Sequence, residues 1–218
     1  MIPFDDKFHE ECGLFGIFGH GDSAPHTALG LHALQHRGQE AAGIVSYDGQ
    51  QFHSHRTPGL VGETFDSADI MERLGGDAAI GHVRYSTTGQ TALRNIQPLF
   101  AEFDFGGMAV AHNGNLTNAF SLRRELVNRG SIFQSTTDTE VLIHLIANSR
   151  DSTPYARPDS ADPEVVLRVI KALRQIQGAY SLICLTNNVL LGARDPWGVR
   201  PLIIGEIDGA MILASETC

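Results

Sequence analysis

Strand-like and helix-like patterns are segregated along this chain, and that order limits the folds open to it more than any single motif does. Apolar runs that read as strands fall at residues 14–18, 42–47, 51–56 and 78–84, with one helical pattern, 25–36, set among them. Asp48-Gly49 between the second and third runs is a hairpin signal. A strand at 108–112 is followed by three helical patterns. The first, 119–129, ends at Gly130. The second, 138–149, opens on the capping-box spacing of Thr137-Asp138-Thr139-Glu140 and carries Val141, Leu142, Leu145 and Ile146 on one face. The third starts at Asp162-Pro163-Glu164, runs to about Gln175 and is closed by Gly178. A loop rich in Ser, Pro and Asp covers 150–160. Strands then return at 180–186, 189–194, 202–205 and 211–214. Strands first, helices in the middle and strands last predict an α+β domain of sheets covered by helices.

At 218 residues and 42% hydrophobic content, the chain can bury a full core. Its net charge of −9 and lack of a Lys/Arg cluster argue against a nucleic-acid surface or an acidic membrane, and point to a small-molecule substrate. The three cysteines, at 12, 184 and 218, fit no disulfide framework and no metal-ligand spacing, which suits a reducing cytoplasm. Residues 1–11 are polar and acidic without an apolar core, so they read as neither a secretory signal nor a transit peptide. No apolar run approaches the roughly 18 residues of a membrane span. The end at Ser-Glu-Thr-Cys218, just after an apolar strand, reads as a cut with more protein beyond it.

Five segments carry chemistry. Cys12 follows the polar leader and opens the first strand. If the leader is removed, thiol and α-amine share one residue, and the amine serves as base for the sulfur without a histidine. The two groups titrate near about 8 and about 8.5, so a proton passes between them at little cost near neutrality. The competing reading is a small buried cysteine behind a frayed tail. Residues 34–43, Leu-Gln-His-Arg-Gly-Gln-Glu-Ala-Ala-Gly, run from a helix end into a strand, and Arg37 there is either a helix C-terminal cation or part of a site. Residues 81–89, Gly-His-Val-Arg-Tyr-Ser-Thr-Thr-Gly, deliver Arg84 and three hydroxyls to a loop, where the guanidinium can grip a carboxylate through two parallel hydrogen bonds. Asn113-Gly114 can offer a side-chain amide and a main-chain N–H to one oxygen, as an oxyanion hole requires, or be an ordinary tight turn. Asp138 at a helix head either complements the dipole or pairs a substrate ammonium.

Two other patterns carry less. Gly19-His-Gly-Asp-Ser-Ala24 matches a dinucleotide-binding spacing between a strand and a helix, but the hairpin that follows is not the βαβ unit such a fold needs. The ten histidines show no metal-binding spacing and read as scattered, satisfied side chains. Cys184, inside an apolar strand, reads as core.

Cys12-Gly-Leu-Phe-Gly-Ile, residues 34–43, residues 81–89, His112-Asn-Gly-Asn-Leu and Arg194-Asp-Pro-Trp-Gly-Val-Arg-Pro-Leu together resemble, in order, the N-terminal glutaminase domains of amidophosphoribosyltransferases. The resemblance covers 12–218. It implies the N-terminal-nucleophile hydrolase fold, a four-layer αββα sandwich of two stacked antiparallel sheets, and removal of residues 1–11. It implies that Cys12 attacks the glutamine amide to form a thioester, that Asn113 and Gly114 hold the oxyanion, that Arg84 and Thr87 clasp the α-carboxylate, and that Asp138 pairs the α-ammonium. Arg37 and Gly38 would support the pocket. The ammonia would pass to a C-terminal phosphoribosyltransferase domain beyond Cys218, where phosphoribosyl pyrophosphate and Mg²⁺ would yield 5-phosphoribosylamine for purine biosynthesis. The full-length protein would be a homo-oligomer. No cofactor or metal is implied for this domain, and no ligands for the iron–sulfur cluster of some members can be located in it. Sister glutaminases, such as that of glucosamine-6-phosphate synthase, and an unprocessed, non-catalytic module are the alternatives.

Overall fold

A computed structural model describes residues 12–85, 92–149 and 163–217. In chain order its elements are β1 (Gly13–Phe18), α1 (Ser23–Ala33), a 3₁₀ turn (Gln35–Arg37), β2 (Ala41–Tyr47), β3 (Phe52–Pro58), α2 (Val61–Thr64), α3 (Ala68–Arg73) and β4 (Ala78–Arg84). There follow a second 3₁₀ turn (Leu93–Asn95), β5 (Leu99–Phe103), β6 (Gly106–Leu116), α4 (Ala119–Asn128), α5 (Thr139–Asn148) and α6 (Pro163–Leu173). The chain closes with β7 (Gly178–Thr186), β8 (Leu190–Arg194), β9 (Ile203–Ile207) and β10 (Ala210–Ala214). One sheet has the order β3-β2-β4-β1-β10-β9 and the other β5-β6-β7-β8, and every described ladder is antiparallel.

The side-chain alternation of each strand sorts residues into three apolar layers. Between the sheets, Leu14, Val45, Ile80, Ala109, Ala111, Ile183 and Leu185 pack face to face. Outside the larger sheet, Ile17, Ala42, Ile44 and Val83 meet Ala24, Leu31 and Leu34 at α1. Outside the smaller one, Met108, Val110, Leu182 and Cys184 meet α5 and α6 through Val141, Leu142, Leu145, Val165 and Val169. The four-layer αββα sandwich is thus present, and Cys184 is core. Burial pushes its thiol up to about 12.

Several local expectations change. The helix over 25–36 is instead Ser23–Ala33 followed by the 3₁₀ turn, where the Gln35 side chain bonds to Gly38 O and accepts from Val61 N, pulling the chain off the helical path. β5 was not anticipated, although Leu99, Ala101 and Phe103 alternate toward the core as a strand should. β6 runs on to Leu116, so Asn113-Gly114 lies within a strand and not in a turn. Gly178 does not close α6; it opens β7 opposite Leu116, where an added Cβ would stand 2.2 Å from Asn115 O. The capping box at α5 is not formed, because Glu140 turns to the backbone N–H groups of Gln134 and Ser135, each at 2.7 Å. Gly130, at φ 97°, does end α4, and Asp48-Gly49 does close the β2–β3 hairpin. After α1 the chain enters antiparallel β2 and β3, which removes the dinucleotide reading. The leader, the loop 150–160, Asp162 and Cys218 lie outside the described residues.

Candidate active site

A cavity of about 640 Å³ opens where the ends of β1, β4 and β6 meet the approach to α5. Cys12, Arg84, Asn113, Gly114 and Asp138 all line it, although they come from four separate stretches of chain. Thr87 lies outside the described residues.

Cys12 immediately precedes β1, in a left-handed backbone conformation with φ 65°. Its main chain is held on both sides: its N–H donates to Arg37 O at 2.9 Å, and its carbonyl accepts from Arg37 Nε at 2.9 Å and Asn113 Nδ2 at 3.3 Å. The sulfur accepts from Tyr85 N at 3.5 Å. Arg37 is therefore no exposed helix-end cation. It is buried, and Nη1 donates to Glu216 at 2.9 Å. Gly38 beside it has an ordinary extended backbone; glycine is required by proximity, since a Cβ would stand 2.6 Å from the Arg84 carbonyl carbon. That contact, with Glu40 N donating to Arg84 O at 3.1 Å, sets where Arg84 leaves β4.

Gly114, at φ 142°, opposes Tyr180 so closely that a Cβ would lie 2.1 Å from Ala179 O. Only glycine satisfies both conditions, and this keeps the strand in register while Asn113 points between the sheets. Asp138 occupies the position before α5 but makes no capping bond to it. Its carboxylate accepts from Leu116 N at 3.1 Å and lies 3.4 Å from His112 Nδ1. Burial acts to raise its pKa, but the hydrogen bond and charge of His112 and the Leu116 N–H outweigh that, and the net shift is downward. The cavity is thus lined by an ionised carboxylate at Asp138 as well as by the guanidinium of Arg84.

Other participants were not singled out in the sequence. Arg123 of α4 lines the cavity, lies over the Phe133 ring and donates to the carbonyls of Ser135 and Thr137, both at 3.0 Å. With Glu140 on the neighbouring N–H groups, it staples the loop that delivers Asp138. Gln97 takes both main-chain bonds of His112, accepting at 2.7 Å and donating at 3.2 Å. Asp195 gathers the N–H groups of Tyr180, Trp197, Val199 and Arg200, which explains the Asp-Pro-Trp-Gly-Val-Arg motif and brings Arg200 to the cavity rim. The expectation of satisfied histidines fails at His82. It is fully buried, and neither ring nitrogen is hydrogen-bonded within the described residues. Burial first, then the charges of His112 and Arg84, lowers its pKa to about 3. Such contacts leave no periodic trace in a sequence, and the motif Gly-His-Val-Arg was the only signal for His82. Among the described residues, no three His, Cys, Asp or Glu side chains form a metal-binding group.

A family model described as a glutamine amidotransferase domain matches residues 82–218. An amidophosphoribosyltransferase of Rhizobium etli is 55% identical over 217 residues, covering 99% of this chain and 42% of the relative. A solved structure of the glutamine phosphoribosylpyrophosphate amidotransferase from B. subtilis, complexed with ADP and GMP, superposes with a TM-score of 0.84 at 43% identity, over 95% of this chain and 42% of that one. Another, described as the allosteric regulatory enzyme of purine biosynthesis, gives 0.86 at 44% identity with the same coverage. The chain spans about two fifths of the length of these proteins.

Proposed function

Because this chain belongs to the family of glutamine amidotransferase domains, we propose that residues 12–218, once residues 1–11 are removed, hydrolyse glutamine through Cys12 to glutamate and ammonia. The thiol gives its proton to the Cys12 α-amine, and the sulfur attacks the side-chain amide carbon. The tetrahedral oxyanion is taken by Asn113 and the Gly114 N–H. An amide NH₂ has two donors, so Asn113 can keep its bond to Cys12 O and turn the other hydrogen to the oxyanion. Collapse expels ammonia with the proton from the amine, and water cleaves the γ-glutamyl thioester. Arg84, with Thr87, clasps the substrate α-carboxylate, and Asp138 pairs its α-ammonium. Fixing both charges places the amide against the sulfur. Arg37 and Gly38 support the pocket.

In the longer protein we place this domain before a phosphoribosyltransferase domain that uses the ammonia to convert phosphoribosyl pyrophosphate to 5-phosphoribosylamine. Any Mg²⁺ requirement and the oligomeric contacts belong to that assembly. The acidic, uncored leader supports a cytoplasmic location. Among the described residues, no helix is long and apolar enough to cross a membrane. The similarity to amidophosphoribosyltransferases speaks against a glucosamine-6-phosphate synthase partner.

The observation that carries this reading is the convergence of Cys12, Arg84, Asn113, Gly114 and Asp138 on one cavity. Its test is the intact mass of the purified protein before and after treatment with a glutamine analogue that alkylates nucleophilic thiols. Loss of residues 1–11 with a single adduct on Cys12 is expected. A processed chain that takes no adduct, or takes it at Cys184, would sink the assignment.

A further inference from the structure

The last strand leads into two residues whose side chains reach back to the start of the first. Ser215 is fully buried; its Oγ accepts from Leu14 N at 2.9 Å, and its N–H donates to Leu14 O at 3.0 Å. Glu216 follows. Its Oε2 accepts from Arg37 Nη1 at 2.9 Å, and its Oε1 meets His36 Nε2 at 2.6 Å. The Arg37 side chain is 1% exposed and that of Glu216 33%. A guanidinium that deep is held in place only by charged and hydrogen-bonding partners. Its Nε is the donor to Cys12 O, and its own carbonyl accepts the Cys12 N–H. Glu216, Arg37 and Cys12 therefore form a relay in which each contact is 2.9 Å. Glu216 itself is not among the residues that line the cavity.

We propose that Glu216 is a positioning residue for Cys12: it fixes the Arg37 guanidinium, and through it the orientation of the Cys12 main chain. The α-nitrogen and the sulfur of Cys12 branch from one Cα, so a rotation of that main chain moves base and nucleophile together. This inference rests on the reading of Cys12 as nucleophile. A residue that acts on Cys12 without touching glutamine changes kcat and the reactivity of the thiol, and leaves KM alone.

The test compares Glu216→Ala, Glu216→Gln and Glu216→Asp in the full-length, processed protein, by steady-state glutamine hydrolysis and by the rate at which iodoacetamide alkylates Cys12. Glu216→Ala is expected to lower kcat on the order of 10- to 100-fold, to slow alkylation, and to keep KM within about twofold. Glu216→Asp, which retains the charge, should recover a large part of the loss. Should Glu216→Ala fail to fold, Glu216→Gln removes the charge at constant size and is read by the same criteria. A kcat within about twofold of the parent overturns the proposal, as does a raised KM at unchanged kcat. Cys12→Ala separates the two readings. If that variant still hydrolyses glutamine, the nucleophile assignment fails; if it is inactive while Glu216→Ala and Glu216→Gln are fully active, only the positioning role does.

Discussion

At the Cys12 end of the cavity the supporting side chains bond directly to the main chain of the residue they position, whereas at the Asp138 end they bond to the loop upstream of it. Arg37 and Asn113 converge on the Cys12 carbonyl, and the Arg37 carbonyl takes its N–H. Arg123 and Glu140 instead fasten Gln134, Ser135 and Thr137, leaving the Asp138 carboxylate to Leu116 and His112. Chemistry demands position to a fraction of an ångström, while an ion pair to a substrate ammonium falls off gently with distance. The first end is built like a clamp and the second like a tether. Losses at the clamp should therefore appear in kcat, and losses at the tether in KM.

The largest effect should come at the clamp. On the proposed mechanism Asn113→Ala removes one oxyanion donor, which should lower kcat on the order of 10²- to 10³-fold; a variant that changes KM alone would erase the distinction between the two ends. Next comes Asp138→Asn, measured by glutamine saturation. On the proposed pairing with the substrate ammonium, losing a charge-assisted contact of about 1.5–3 kcal/mol should raise KM roughly 10- to 100-fold, and an unchanged KM would mean that the ammonium sits elsewhere. Arg123→Ala, one step removed, should raise KM only a fewfold and cost about 1–3 kcal/mol in denaturant unfolding. A collapse in kcat instead would show that the loop serves chemistry as much as binding.

A separate effect, on stability and not on catalysis, is pH dependence. His82 has a folded pKa near 3, below its ordinary value near 6.5, so the unfolded chain binds the extra proton in that window. Its contribution to stability is full above about pH 6.5 and declines as the pH falls toward 3. His55 and His144, also lowered by burial, act in the same direction. Asp138 and Asp195, lowered in the fold despite burial, lose their contributions only at still lower pH, as their carboxylates protonate. His82→Gln should flatten the fall in Tm between about pH 6.5 and 4.5, and an unaltered slope would place the titration on the other histidines.

Much of the site was legible because its residues stand at ends of elements that periodicity locates. Cys12 precedes a strand, Arg84 ends one and Asp138 precedes a helix. Asn113-Gly114 was recognisable as a motif, yet its setting was misread: the local rule for Asn-Gly is a turn, and only the approach of Ala179 O to Gly114 explains why a strand continues through it. The capping box failed for a similar reason. The spacing offered Glu140 a local partner at the helix start, but its carboxylate instead accepts from Gln134 N and Ser135 N, each at 2.7 Å.

By itself the sequence determined the α+β class, the hairpin at Asp48-Gly49 and the helix end at Gly130, and it supplied the candidate residues that the cavity gathers. These follow from periodicity, turn stereochemistry and functional groups, all properties of a short stretch of chain. Only the tertiary structure decided that Arg37 is buried against Glu216, 179 positions away, that Arg123 staples the Asp138 loop, and that His82 lies without a hydrogen-bonded ring nitrogen among the described residues. Burial and long-range pairing depend on which faces the two sheets turn toward each other, and that is fixed by packing across the whole chain.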